Sequence, residues 1–135
     1  MVEKNTMIGL DTGFFFELLM GNTKAIEIWK DIIKGTNCVT SCLTFFELKR
    51  LSLKGLLDPD DLNTLLESVM AISDVVWLDN IDIHEMAANL SHGTGIPAID
   101  SLILSSLIIS GVKIVYTTDS HFKSYQKKDM QIVIL

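Results

Sequence analysis

Short, almost continuously apolar runs alternate along this chain with longer stretches whose apolar residues recur every three or four positions. The runs are Met7–Leu10, Asn37–Thr40, Val75–Leu78, Val112–Tyr116 and Gln131–Ile134. Strands apolar at successive positions bury both faces, as in a parallel sheet covered by helices on either side. Between them, Thr23–Lys34 carries Ile28, Trp29, Ile32 and Ile33 at helical spacing, and Asp58-Pro59 opens a helix through Leu62, Leu65, Leu66, Val69 and Met70. Ile81–Leu90 turns Ile83, Met86, Ala87 and Leu90 inward, and Ala98–Ser110 is apolar almost throughout. Further helices are read over Phe14–Leu19, from a Ser41 cap to about Lys54, and briefly over His121–Tyr125, with His92–Pro97 as a loop. The predicted architecture is an α/β three-layer sandwich with a central, mostly parallel sheet of four or five strands covered by helices. A chain of 135 residues without repeat or linker is read as one domain, 1–135.

Hydrophobic residues make up 48% of the chain and charged residues 21%, which excludes a disordered segment and leaves apolar surface for a second chain. The start, MVEKNTMIGLD, has no secretory h-region, and Leu102–Ile109 is far too short to span a bilayer. Cys38 and Cys42 read as reduced thiols, so the expected setting is cytoplasmic, with no membrane contact. The net charge of −6 is unevenly distributed. Residues 58–100 hold nine acids and no Lys or Arg, whereas residues 1–57 hold seven bases against six acids. Lys49, Arg50, Lys54, Lys123, Lys127 and Lys128 are therefore available to line an approach for phosphates.

Four carboxylates stand where apolar strands hand over to helices or loops. Asp11 closes MIGLD, Glu47 follows CVTSCLTFF, Asp100 follows GIPAI and Asp119 follows KIVYTT. An acid beside packed apolar surface is costly unless a positive charge compensates it. Asp11 and Asp119 fall at the carboxyl ends of strands, where open α/β sheets hold their ligands. Glu47 and Asp100 are read in the first turns of their helices, where the helix dipole favours the ionised form. Together the four suggest a pocket for a divalent cation, Mg²⁺ with Mn²⁺ as a substitute, since Mg²⁺ takes oxygen ligands and retains waters.

These residues carry a resemblance. LDTGFF at 10–15, TFFELKR at 44–50, PAIDSLIL at 97–104 and YTTDSHF at 116–122 resemble the PIN-domain ribonucleases, particularly the VapC toxins of VapBC toxin–antitoxin pairs, in order, spacing and length. The resemblance implies a PIN-like fold, Asp11, Glu47, Asp100 and Asp119 as catalytic and metal-site residues, and Thr118, in preference to Thr117, supporting the carboxylates through its hydroxyl. Thr12 is assigned a similar orienting role. The chain departs from the usual pattern in placing His121 two positions after Asp119, where a second acid is common, and in offering His92 rather than a basic residue before Asp100.

The function expected from this is metal-dependent endoribonuclease action on single-stranded or looped RNA, in-line attack by water leaving 5′-phosphate and 3′-hydroxyl ends. Lys49, Arg50, Lys54, His121, Lys123 and Tyr125 are the candidate RNA contacts. The partners expected are a cognate antitoxin, its arm over the acidic pocket, and a second copy packed through Phe15, Phe16, Leu19 and the 45–56 region. The alternative is a catalytically inactive PIN-like module that binds RNA or protein. A dehalogenase-like phosphatase would need Asp-x-Asp where Asp11-Thr12-Gly13 stands, and a receiver domain would need paired acids on the first strand.

Overall fold

The computed structural model describes residues 6–125 and 129–135; Lys127 and Lys128 lie outside them. In chain order the elements are β1 (Ile8–Leu10), α1 (Thr12–Leu19), α2 (Thr23–Ile33), β2 (Cys38–Ser41), α3 (Cys42–Leu53), α4 (Pro59–Ile72), β3 (Asp74–Val76), α5 (Ile81–Thr94), α6 (Ala98–Ile109), β4 (Ile114–Thr117), a 3₁₀ turn (Ser120–Ser124) and β5 (Gln131–Ile134). The five strands lie in the order β3-β2-β1-β4-β5, and every neighbouring pair is parallel. The chain winds outward from β1 to β3 on one side, then returns to add β4 and β5 on the other. The direction reverses between β1 and β4, and a crevice opens at their carboxyl ends.

Alternation along the strands divides the core between the two faces of the sheet. Ile8, Leu10, Cys38 and Tyr116 pack with Phe14, Phe15, Trp29, Leu48, Leu62 and Val69 of α1 to α4. Val39 and Val115 face the other way, into Leu90, Ile103, Leu104 and Leu107 of α5 and α6 and Phe122 beyond them. Gly9 belongs to that second face, where a Cβ would lie 3.1 Å from Leu107 Cδ1 and 3.3 Å from Val112 Cγ2. Its lack of a side chain lets α6 sit close on the central strand.

Three expectations need correction. His92 is in the last turn of α5, not in a loop. The helix runs to Thr94, whose hydroxyl donates to Leu90 O at 2.6 Å, and Gly95, its N–H bonded to Ser91 O, ends it at φ 74°. Phe15 is fully buried, with its ring edge-on to Phe14 and Trp29, so it is core and unavailable to a second copy. Glu47 is the sixth residue of α3, in its second turn, beyond the reach of the dipole argument. Both cysteines are free thiols, Cys38 buried and Cys42 half-buried. Among the described residues no helix is long and apolar enough to cross a membrane.

Candidate active site

Asp11 occupies the centre of the crevice because β1 is the middle strand and ends there. It is the N-cap of α1, its Oδ1 accepting the Phe14 N–H at 3.0 Å, while Oδ2 accepts the Thr117 hydroxyl. The side chain is almost wholly buried. Burial pushes its carboxyl up to about 7; the two hydrogen bonds oppose that shift, and the charges of Asp119 and Glu47 add to it.

Thr117, not Thr118, is thus the hydroxyl that braces the carboxylates. Leu10 is paired with Tyr116 in the β1–β4 register, so Asp11 and Thr117 come next in step on adjacent strands. The same Thr117 oxygen accepts the Asp119 N–H at 2.8 Å, linking the two acids through one atom. Thr118 is exposed and packs against Gly13 instead; a Cβ on Gly13 would fall 1.9 Å from its hydroxyl oxygen and 3.1 Å from its backbone nitrogen. Gly13 is a supporting residue that sequence reasoning missed, although it stands inside the LDTGFF motif.

Asp119 caps the 3₁₀ turn, its Oδ1 accepting the His121 N–H at 2.9 Å and lying 3.1 Å from His121 Nδ1. Asp100 stands in the first turn of α6 and brings a carboxylate oxygen within 4.8 Å of one of Asp119. Partial burial pushes Asp100 up to about 6, aided by the charge and hydrogen bond of Asp119 and the charge of Glu47; His121 pulls it down. Two carboxylates this close repel when both are ionised, a cost that a proton on one of them or a shared cation removes. Glu47 approaches from α3, its Oε1 accepting the Thr12 hydroxyl at 2.5 Å. That oxygen of Thr12 also lies 3.4 Å from the Thr44 hydroxyl, a second contact that the sequence does not announce.

Asp119 and Glu47 each act electrostatically on both Asp11 and Asp100, which ties together four carboxylates from different segments of the chain. One donor atom each from Asp100, Asp119 and His121 lie within 4.8 Å of one another. Oxygen donors dominate the set, which fits a divalent cation of hard character. The predicted RNA contacts divide. Arg50 and Lys54 share the Glu47 face of α3 and line, with Thr12, Glu47 and Leu51, a cleft of about 100 Å³. Lys49 points elsewhere, its ammonium donating to Asn63 Oδ1 of α4 at 2.9 Å. Tyr125 is half-buried against the second core, whereas Lys123 and His121 are exposed on the 3₁₀ turn. A larger, open groove of about 430 Å³ runs along α5 past Asp82, Glu85, Met86, Asn89 and Leu90, and none of the predicted site residues lines it.

The architecture has counterparts among solved structures. A toxin–antitoxin complex from Klebsiella pneumoniae is 15% identical, with a TM-score of 0.67 over 89% of this chain and 99% of that one. DNA-bound VapBC from Salmonella typhimurium is 19% identical, with a TM-score of 0.70 over 96% and 98%. FitAcB from Neisseria gonorrhoeae is 22% identical, with a TM-score of 0.65 over 93% and 96%. At such identities the likeness establishes the fold. A search of curated protein sequences returned no match. The family model of the PIN domain matches residues 8–128, almost the whole of the described chain. With that match across β1 to β4, all six helices and the acidic crevice, the chain belongs to the PIN domain family.

Proposed function

We propose that this chain is a divalent-metal-dependent endoribonuclease that hydrolyses phosphodiester bonds of single-stranded or looped RNA, and that it is the toxin of a toxin–antitoxin pair. The observation that carries the proposal is the clustering of four carboxylates at the β1–β4 switch point, where Asp119 and Glu47 act on both Asp11 and Asp100 and donor atoms of Asp100 and Asp119 lie within 4.8 Å of each other. Asp11, Asp100 and Asp119 would hold Mg²⁺ or Mn²⁺, with Glu47 behind them. When bound, such a cation supplies an activated water and neutralises charge on the phosphate. The remaining groups position and bind. Phe14 N–H and the Thr117 hydroxyl fix both oxygens of Asp11, and the Thr12 hydroxyl orients Glu47. Arg50 and Lys54 flank the acids on one side and Lys123 stands beyond Asp119 on the other, cationic groups suited to a phosphate backbone.

A pocket this acidic in a cell full of RNA calls for restraint, and the solved toxin–antitoxin complexes of like fold support an antitoxin partner. Phe46, Leu53, Leu56, Trp77 and Ile81 are each more than half exposed, apolar surface that an antitoxin and a second copy of this chain would cover. The test is incubation of partner-free protein with total RNA, with and without Mg²⁺ or Mn²⁺, followed by mapping of the cut ends. Cleavage leaving 5′-phosphates, lost in Asp11→Asn and Asp100→Asn, is the expected result. Folded protein that binds RNA and cuts none under any divalent cation would make it a binding module.

A further inference from the structure

We propose that His121 is a nitrogen ligand of the cation and tilts the site from Mg²⁺ toward first-row transition ions. The inference rests on the reading above that the crevice holds a divalent cation, and it assigns the metal class that reading left open.

His121 is on the rim of the cluster, its side chain 63% exposed, on the short turn that Asp119 caps. The turn is tight enough for Asp119 Oδ1 to meet both the backbone N–H and the ring Nδ1 of His121, at 2.9 and 3.1 Å. The imidazole is thereby held beside the carboxylate, not swung into solvent. One donor atom each from Asp100, Asp119 and His121 lie within 4.8 Å of one another, a spacing that one cation can draw together. With metal–ligand distances of about 2.1 Å, donors on opposite sides of an ion are about 4.2 Å apart.

The donor types set the preference. Mg²⁺ selects oxygen and gives up its waters reluctantly, so an imidazole adds little to its binding. Mn²⁺, Co²⁺ and the later ions accept imidazole nitrogen, with affinity rising along the series. The His121 imidazole beside Asp100 and Asp119, with Asp11 as the third carboxylate proposed above, therefore makes a mixed site in which nitrogen separates the metals. A carboxylate at position 121 would give an all-oxygen set and remove the distinction. His84, which contacts Leu78 O, and His92 lie on α5, so a nitrogen signature can be assigned to position 121 by substitution.

The test is direct binding of Co²⁺ and Mg²⁺ to the full chain by calorimetry, with pulsed EPR on the Mn²⁺-loaded protein to detect ¹⁴N coupling. The variants are His121→Ala and His121→Asp, both at an exposed position. Wild type should show ¹⁴N coupling that is absent in both variants. His121→Ala should weaken Co²⁺ roughly tenfold or more while leaving Mg²⁺ within about twofold, and His121→Asp should narrow the Co²⁺/Mg²⁺ ratio from the magnesium side. Metal binding without ¹⁴N coupling, coupling that persists in His121→Ala, or a Co²⁺/Mg²⁺ ratio the same in all three proteins would overturn the assignment. RNA cleavage, scored separately, keeps the two proposals apart. Nitrogen ligation without cleavage sinks the nuclease alone, and cleavage without nitrogen ligation sinks the ligand alone.

Discussion

A single hydroxyl, that of Thr117, joins Asp11 to the backbone of Asp119, and this makes it the sharpest residue to test. Thr117→Val keeps the shape and removes the link, leaving the Asp119 N–H unpaired and Asp11 with one hydrogen bond fewer. Metal affinity, measured by calorimetry, should fall roughly tenfold and stability by about 1–2 kcal/mol. Thr118→Val should do much less, and equal losses in the two would remove Thr117 from its bracing role. Gly13→Ala brings a methyl against Thr118. Rotating the hydroxyl relieves the 1.9 Å contact but not those at 3.0 Å to Thr118 Cβ and 3.1 Å to its nitrogen. The expected cost is about 1–3 kcal/mol in a denaturant melt, partly recovered by adding Thr118→Gly. The sequence leaves Thr117 and Thr118 hard to separate, because which of two neighbouring threonines faces Asp11 depends on the register between strands far apart in the chain. Glu47 is a different case. Counting from the Ser41 cap is enough to put it in the second turn of α3, so its position along the helix is legible from the sequence.

The elements themselves are largely legible, because doubly buried strands and amphipathic helices write different periods into a sequence. Their limits are less so. The apolar run Val75–Leu78 predicts a strand where the ladder covers Asp74–Val76, and Trp77, more than half exposed, is held by a tilted contact with the Phe45 ring. Its size suggests a strand interior, but a side chain facing away from both cores has no reason to continue the ladder. Inside α6 and at its end the serines illustrate what composition hides. Ser101, Ser106 and Ser110 each return their hydroxyl to a backbone carbonyl, at 3.0, 2.8 and 2.8 Å. Ser105, fully buried, has no hydrogen-bond partner for Oγ among the described residues. Ser105→Ala should therefore leave stability unchanged or raise it by about 1 kcal/mol, against a loss for Ser101→Ala, both read from urea midpoints.

For the whole molecule, the buried acids tie folding to pH and, with the proposed cation bound, to metal. Asp11 titrates at about 7 when folded against 3.8 for an unburied aspartate, so between those values the folded chain holds a proton that the unfolded chain has lost. Stability of the metal-free protein should be greatest below about pH 4 as far as this group decides it, and should fall as pH rises toward 7. Asp100, raised to about 6 and only partly buried, adds a smaller slope of the same sign. Saturating Mn²⁺ should flatten or reverse the trend, because the ion takes the place of the proton. Thermal melts across about pH 4.5–8 with and without Mn²⁺ measure this, and calorimetry at about pH 6 should record proton release on binding. A metal-free midpoint that rises across that range would contradict the burial of Asp11. The contact between Asp11 and Thr117 also spans 106 residues of chain. During synthesis Asp11 leaves the ribosome well before Asp100, Thr117 and Asp119, the groups that complete its surroundings. A polypeptide cut before β4 is thus left with Asp11 unbraced and the acidic crevice incomplete, so any chemistry proposed for the crevice waits on that strand.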